Sequence, residues 1–206
     1  MTAAAAKPEV SVAEHVKEHM GKNVVVAGLL ERVPIAKGKG EFQGTALVLD
    51  DDTTIYVTYA EPPKGWESLI GSRVRVDGLL SPSIDDKSQS LLAPHLRNAG
   101  TPVKEERKLG TLFNKRVRLA GIARDAKGGA VLLINNNEPI YVGGLDGWPD
   151  AADKKLVAVG GTLVNKQYLP EATRNAKGEI SQGAQGKQTV LENPVWRVIS
   201  GGETKP

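Results

Sequence analysis

His15 and His19 lie four residues apart, with Glu14 and Glu18 beside them. On a helix that spacing puts two imidazoles on one face, which is half of a zinc site. His95, the remaining histidine, is distant in sequence. Two ligands without a third read as a solvated helix face, so no metal is expected. Asp50-Asp51-Asp52 brings three carboxylates together. Calcium loops of the EF type instead alternate their carboxylates and end on a distal Glu. Three consecutive aspartates read as a turn, because short Asp side chains hydrogen-bond the nearby backbone. There is no cysteine, which removes disulfides, thiolate ligands and cysteine nucleophiles. Neither a G-x-S-x-G elbow nor a phosphate-cradling glycine loop after a strand occurs. The expectation is a protein with no catalytic residues and no cofactor.

What remains is the chemistry of binding. Tyr56 and Tyr141 hold matching places in Ile55-Tyr56-Val57 and Ile140-Tyr141-Val142. Outward aromatics on a strand beside a basic groove can stack the bases of a single strand. Arg73, Arg75, Arg116, Arg118 and Arg124 are candidates for the charge. Lys37 and Lys39, in the glycine-rich segment KGKGEFQG, and Lys166, in a long polar stretch at 165–187, are further candidates. The charge is thinly spread. Residues 21–100 hold nine Lys/Arg against ten Asp/Glu, net −1, and residues 112–199 hold twelve against eight, net +4. A dedicated nucleic-acid protein carries a denser patch, and a stacking platform several aromatics. The first expectation is therefore a protein partner, gripped through loops at 36–43 and 165–187 in the manner of an immunity protein, an inhibitor or an assembly subunit. Single-stranded nucleic acid is the alternative.

The elements that must position these residues occur twice. Residues 24–30 align with 117–123, 55–57 with 140–142, Trp66 with Trp148, and 74–80 with 157–163. The offset is 93 residues at Ala27 and Ala120 and 82 at Trp66 and Trp148. A period of that length exceeds a solenoid unit and matches a small domain. The expected organisation is a tail and short helix at 1–20, a domain at 21–100, a linker at 101–111, a second domain at 112–199 and a tail at 200–206. The helix should open at Ser11, whose spacing to Glu14 is that of a capping box. Its apolar stripe is Val12, Val16 and Met20, and Gly21 ends it.

In the first domain, strands are expected at 22–33, 44–49, 53–59, 73–80 and 88–96, with a helical turn at 64–70. In the second they are expected at 115–123, 130–134, 139–142, 155–163 and 188–198, with a helical turn at 145–153. Gly28 and Gly121 sit mid-strand, where glycine permits a sharp bend. Residues 37–44 read as a mobile hairpin tip.

This order, with a glycine-bent first strand and a helical element between strands three and four, resembles the OB fold, a five-stranded Greek-key barrel. The fold class expected is all-β with a short N-terminal helix, as two tandem five-stranded OB-like barrels. The second copy also resembles a small bacterial domain family of uncharacterised function. The residues that carry this likeness are Ala126-Lys127-Gly128-Gly129-Ala130, Ile140-Tyr141, Gly144-Leu145, Trp148-Pro149 and 157–163. They are structural, and the resemblance implies no catalytic residue. The longest apolar run, 24–30, is far below the ~20 residues of a membrane span. The N-terminus lacks a signal-peptide core, which leaves cytoplasm and periplasm equally open.

Overall fold

A computed structural model of the chain describes residues 6–37, 40–59, 61–82, 94–135, 137–171, 184 and 186–199, with backbone alone at 35–37 and 40–43. The protein is mostly β with one short helix. It divides into two compact units, Met1–Glu106 with Ile199–Pro206, and Arg107–Val198. The first unit runs β1 (Glu9–Val10), α1 (Ala13–Glu18), β2 (Asn23–Lys37), β3 (Gly40–Val48), β4 (Thr54–Thr58), β5 (Arg73–Ser81), β6 (His95–Arg97) and β7 (Val103–Lys104). A 3-10 turn at Trp66–Leu69 precedes β5. β2 pairs with β3, β3 with β4, β4 with β6 and β6 with β5, and β5 pairs back to β2.

The second unit runs from a 3-10 turn at Leu109–Thr111 through β8 (Lys115–Ala126), β9 (Gly129–Ile134), β10 (Glu138–Val142), β11 (Leu156–Lys166) and β12 (Gln188–Val198). These strands form a closed barrel in the order β10-β12-β11-β8-β9. In each ring one pair is parallel, β4–β6 and β10–β12 respectively. Each unit has its own core. Val26, Leu30, Leu47, Ile55, Val76 and Leu96 are among the buried residues of the first, and Leu132, Ile140, Trp148, Val159, Leu163 and Leu191 of the second.

The same registers recur. Gly28 lies opposite Val74, and Gly121 opposite Val157. Ala46 lies opposite Tyr56, and Val131 opposite Tyr141. Gly21 donates its N–H to the Leu80 carbonyl at 2.8 Å, and Asn114 donates to Leu163 at 2.7 Å. Gly71 donates to Leu30 at 2.8 Å, and Lys154 to Ala123 at 2.9 Å. Both members of each donor pair have positive φ: 80° and 62° for Gly21 and Asn114, 81° and 63° for Gly71 and Lys154. Asp52 and Asn137, which follow β3 and β9, have φ of 69° and 70°. Asp and Asn are interchangeable here because both tolerate the left-handed region, as their shared turn chemistry implies.

Gly28 and Gly121 are glycines for a reason other than the expected one. Neither has positive φ. A Cβ on Gly121 would lie 2.3 Å from the Leu133 carbonyl oxygen, and one on Gly28 would lie 3.0 Å from that of Val48. The first strand of each unit changes partners at this point. β2 pairs with β5 up to Leu29 and with β3 from Leu29 onward. β8 does the same at Ile122 with β11 and β9. The absent side chain lets the next strand's backbone close in.

Several local expectations are corrected. Helix α1 begins at Ala13 with Val12 as its N-cap and no side-chain cap of its own, so the Ser11–Glu14 box is not formed. Asp51, from the β3–β4 turn, supplies the cap by accepting the Ala13 N–H at 2.6 Å. Val16 is buried but Met20 is 37% exposed, so the apolar stripe stops short. Residues 36–37 and 40–43 are strand rather than loop, because β2–β3 pairing continues to Lys37 opposite Gly40. Within 145–153 the helical turn is confined to the end, where Ala152 and Asp153 donate their N–H groups to the Pro149 carbonyl at 2.7 and 3.1 Å. Gly144 is left-handed at φ 78°, and the Trp148 N–H is taken by the Asp125 carboxylate at 2.8 Å. Within the expected linker, Val103–Lys104 is a strand paired with β5. Residues 88–93 of the expected fifth strand and most of the 165–187 loop lie outside the described residues.

Gly121→Ala should destabilise the second unit by about 1–3 kcal/mol, the usual cost of overpacking, and Gly28→Ala should cost its unit clearly less. Calorimetric unfolding of both variants checks the order. Lys154→Gly should raise stability by up to about 1 kcal/mol, since a non-glycine residue in the left-handed region carries that order of strain. An unchanged or lower midpoint for Lys154→Gly in urea would contradict it.

Candidate functional site

The alternation of β4 buries Ile55 and Val57 and turns Tyr56 to the other face. Pairing places Tyr56 beside His95 on β6. The two rings stack at 5.3 Å between centroids and 28° between planes. One face of Tyr56 is therefore covered from within the chain.

The arginines meant to line a groove on this unit are also occupied. Arg73 Nε donates to Glu105 at 2.6 Å and its Nη1 to Asp50 at 3.1 Å, with only 11% of its side chain exposed. Arg75 pairs with Glu9 at 2.6 Å. The charge expected for a partner instead fastens β7 and β1 to the unit. The side chain of Lys37 and all of Lys39 lie outside the described residues.

On the second unit Tyr141 packs against Tyr168 at 5.2 Å. The residues leading out of β11 fold back over this face. Lys166 forms an ion pair with Glu192 and lies 5.9 Å from the Tyr168 ring. Gln188 Oε1 accepts the backbone N–H of Tyr168 and of Leu169, at 2.9 and 3.1 Å. The Leu169 side chain lies over Gly128, where a Cβ would meet it at 2.2 Å. Arg118 is buried, and Arg116 and Arg118 are both engaged. Arg124 is half-buried with its Nη1 enclosed. The structure thus distributes the basic candidates over inward and outward positions and into ion pairs. Tyr56 and Tyr141 are each matched to an intrachain ring.

His19 donates its N–H to the His15 carbonyl at 3.1 Å. His19 is the C-cap of α1 rather than part of it. Among the described residues no group of three His, Cys, Asp or Glu could hold a metal ion. Asp50–Asp52 do structural work. Asp50 pairs with Arg73, Asp51 caps α1 and also accepts the Thr53 N–H at 3.1 Å, and Asp52 takes the left-handed turn position.

A different cluster emerges on the first unit. Trp66, which aligns with Trp148, is half-buried and packs against the edge of the first core. Trp148 is 5% exposed, and its indole N–H reaches the Val131 carbonyl at 2.8 Å. Trp66 instead meets Tyr59 at 6.1 Å between centroids, and the Arg32 guanidinium lies 5.1 Å from its ring centre. The Tyr59 hydroxyl is enclosed without a hydrogen-bond partner. Burial pushes its pKa up to about 12, so it remains an O–H donor. The sequence signal was present but faint: Arg32 follows inward Glu31 on an alternating strand, and Tyr59 and Trp66 bracket Pro62-Pro63. Comparison with known proteins finds no matching family model, no matching curated protein and no matching solved structure.

Asp51→Ala should cost about 0.5–2 kcal/mol through the lost cap. Hydrogen bonds from the Ala13 and Thr53 N–H groups outweigh desolvation and hold the Asp51 carboxyl below its ordinary 3.8. The ionised form is thus favoured in the folded protein. Its contribution is present above pH 3.8 and is lost as pH falls through the lowered value. Wild type and Asp51→Ala should therefore converge in stability in acid and differ near neutrality, as urea titrations across pH can check.

Proposed function

We propose that the chain is a non-catalytic binding module of two tandem OB-like barrels, and that its partner is a protein. The cyclic pairing of both units, each with one parallel pair, and the recurrence of registers support the tandem OB-like reading. The observation that carries the protein reading is the surface cluster of Trp66, Tyr59 and Arg32. Trp, Tyr and Arg are the residue types that concentrate binding energy in protein interfaces. Nucleic-acid binding in the first unit would draw on Arg73, Arg75 and an open Tyr56 face. These are committed to Asp50, Glu105, Glu9 and His95.

An immunity protein, an inhibitor and an assembly subunit all fit this description. The second unit, with its excess of basic residues and the Tyr141–Tyr168 pair beside Lys166, is where a single strand would bind if the alternative held.

Polarisation of a labelled mixed-sequence single strand should stay flat when the full chain is added, at low and at moderate salt. Affinity purification with the same chain should return a protein partner that is lost with Trp66→Ala. Tight strand binding that survives moderate salt, weakens in Tyr141→Ala and comes with no protein partner would sink the proposal.

A further inference from the structure

We propose that Arg32, Trp66 and Tyr59 form a recognition site for a carboxylate-bearing peptide segment of the partner, an acidic side chain next to an apolar one. This rests on the protein-partner reading and names the chemistry of one contact. Along β2, Glu31 and Val33 are buried and Arg32 lies between them on the other face. The Arg32 guanidinium lies 5.1 Å from the Trp66 ring centre. Such stacking restrains the planar fork while its N–H groups stay at the edge of the stack. Among the described residues Arg32 has this ring contact but no ion pair or hydrogen bond. Arg73, by contrast, holds two carboxylates.

The Tyr59 hydroxyl, beside the same indole, is enclosed and makes no hydrogen bond. The guanidinium is thus a donor without an acceptor among the described residues, and Trp66, backed by Tyr59, adds an apolar surface. A carboxylate offers two oxygens to a guanidinium fork. Charge favours a peptide over a phosphodiester strand. Residues 21–100 carry nine basic and ten acidic side chains, and Glu61 and Glu67 are exposed on either side of Trp66 in sequence. A polyanion is repelled by that balance, whereas a single carboxylate feels mainly the guanidinium it touches.

The test uses the full chain labelled with nitrogen-15, reading the Trp66 indole N–H signal, identified by its absence in Trp66→Phe. N-acetyl-Leu-Glu-amide should move this signal and leave that of Trp148 in place. The Gln counterpart should act about fivefold more weakly, the difference between a charge-assisted and a neutral hydrogen bond. Arg32→Gln should erase the preference for Glu while leaving the circular dichroism unchanged. Arg32→Lys, which keeps the charge and loses the fork, should reduce the preference. Equal responses to the Glu and Gln peptides would overturn the site, as would a Glu preference that persists in Arg32→Gln. So would an oligo-dT strand moving the Trp66 signal at lower concentration than the peptide. A protein partner retained equally by wild type and Arg32→Gln would remove this site and leave the protein reading standing.

Discussion

Both units depend on one steric constraint: the first strand must serve two neighbours. β2 and β8 give their early residues to β5 and β11 and their later residues to β3 and β9. The handover falls at Gly28 and Gly121, where the adjacent strand's carbonyl comes too near for a comfortable side chain. Remaining in the broad extended region, the strand can keep pairing through the bend. The ring of hydrogen bonds follows from that continuity, and the alternation of buried and outward residues follows from the ring. Tyr56 and Tyr141 thus reach the same register position, each at the centre of an Ile-Tyr-Val triad.

What happens outside each ring is decided by charge pairs and ring contacts. On the first unit Arg73 holds Asp50 from the β3–β4 turn and Glu105 from the segment after β7. Glu9 in β1 and Lys7 just before it reach Arg75 and Asp77 at 2.6 Å each. The exposed pairs add little individually. The half-buried Arg73 group matters more, because removing one partner would leave charge poorly solvated. The second unit uses aromatics and a glutamine clamp instead, with Tyr168 on Tyr141 and Gln188 on the backbone of 168 and 169. Trp66 with Arg32 stands apart, since among the described residues nothing else claims the guanidinium.

Much of the architecture was legible because it was written in alternation and repetition. The bounds of β12 match the expected 188–198, and those of β5, β9 and β10 lie within a residue of expectation, with alternation marking β5 and a continuous apolar run marking β9. The positive-φ turn at Asn137 and its counterpart Asp52 followed from side-chain chemistry. Failures came where a distant residue decided the outcome. The α1 cap comes from Asp51 rather than from Ser11, and the 145–153 turns are held by Asp125. Neither is encoded within a helix-length window. Site reading failed for a related reason. Arginine counts along a sequence do not reveal which are already paired, so Arg73 and Arg75 looked available. Trp66 and Trp148 look equivalent in alignment, but the hydrogen bonds that bury one are absent from the other's surroundings.

The cap on α1 also bears on the order in which the chain takes shape. A six-residue helix has no stability of its own in water, and its first turn is completed by a carboxylate 38 residues downstream. Val10 and Val16 pack into a core whose other members come from strands that follow them. On a ribosome the segment would therefore emerge first and settle late, waiting for the β3–β4 turn. During that interval two valines destined for the interior remain in contact with water.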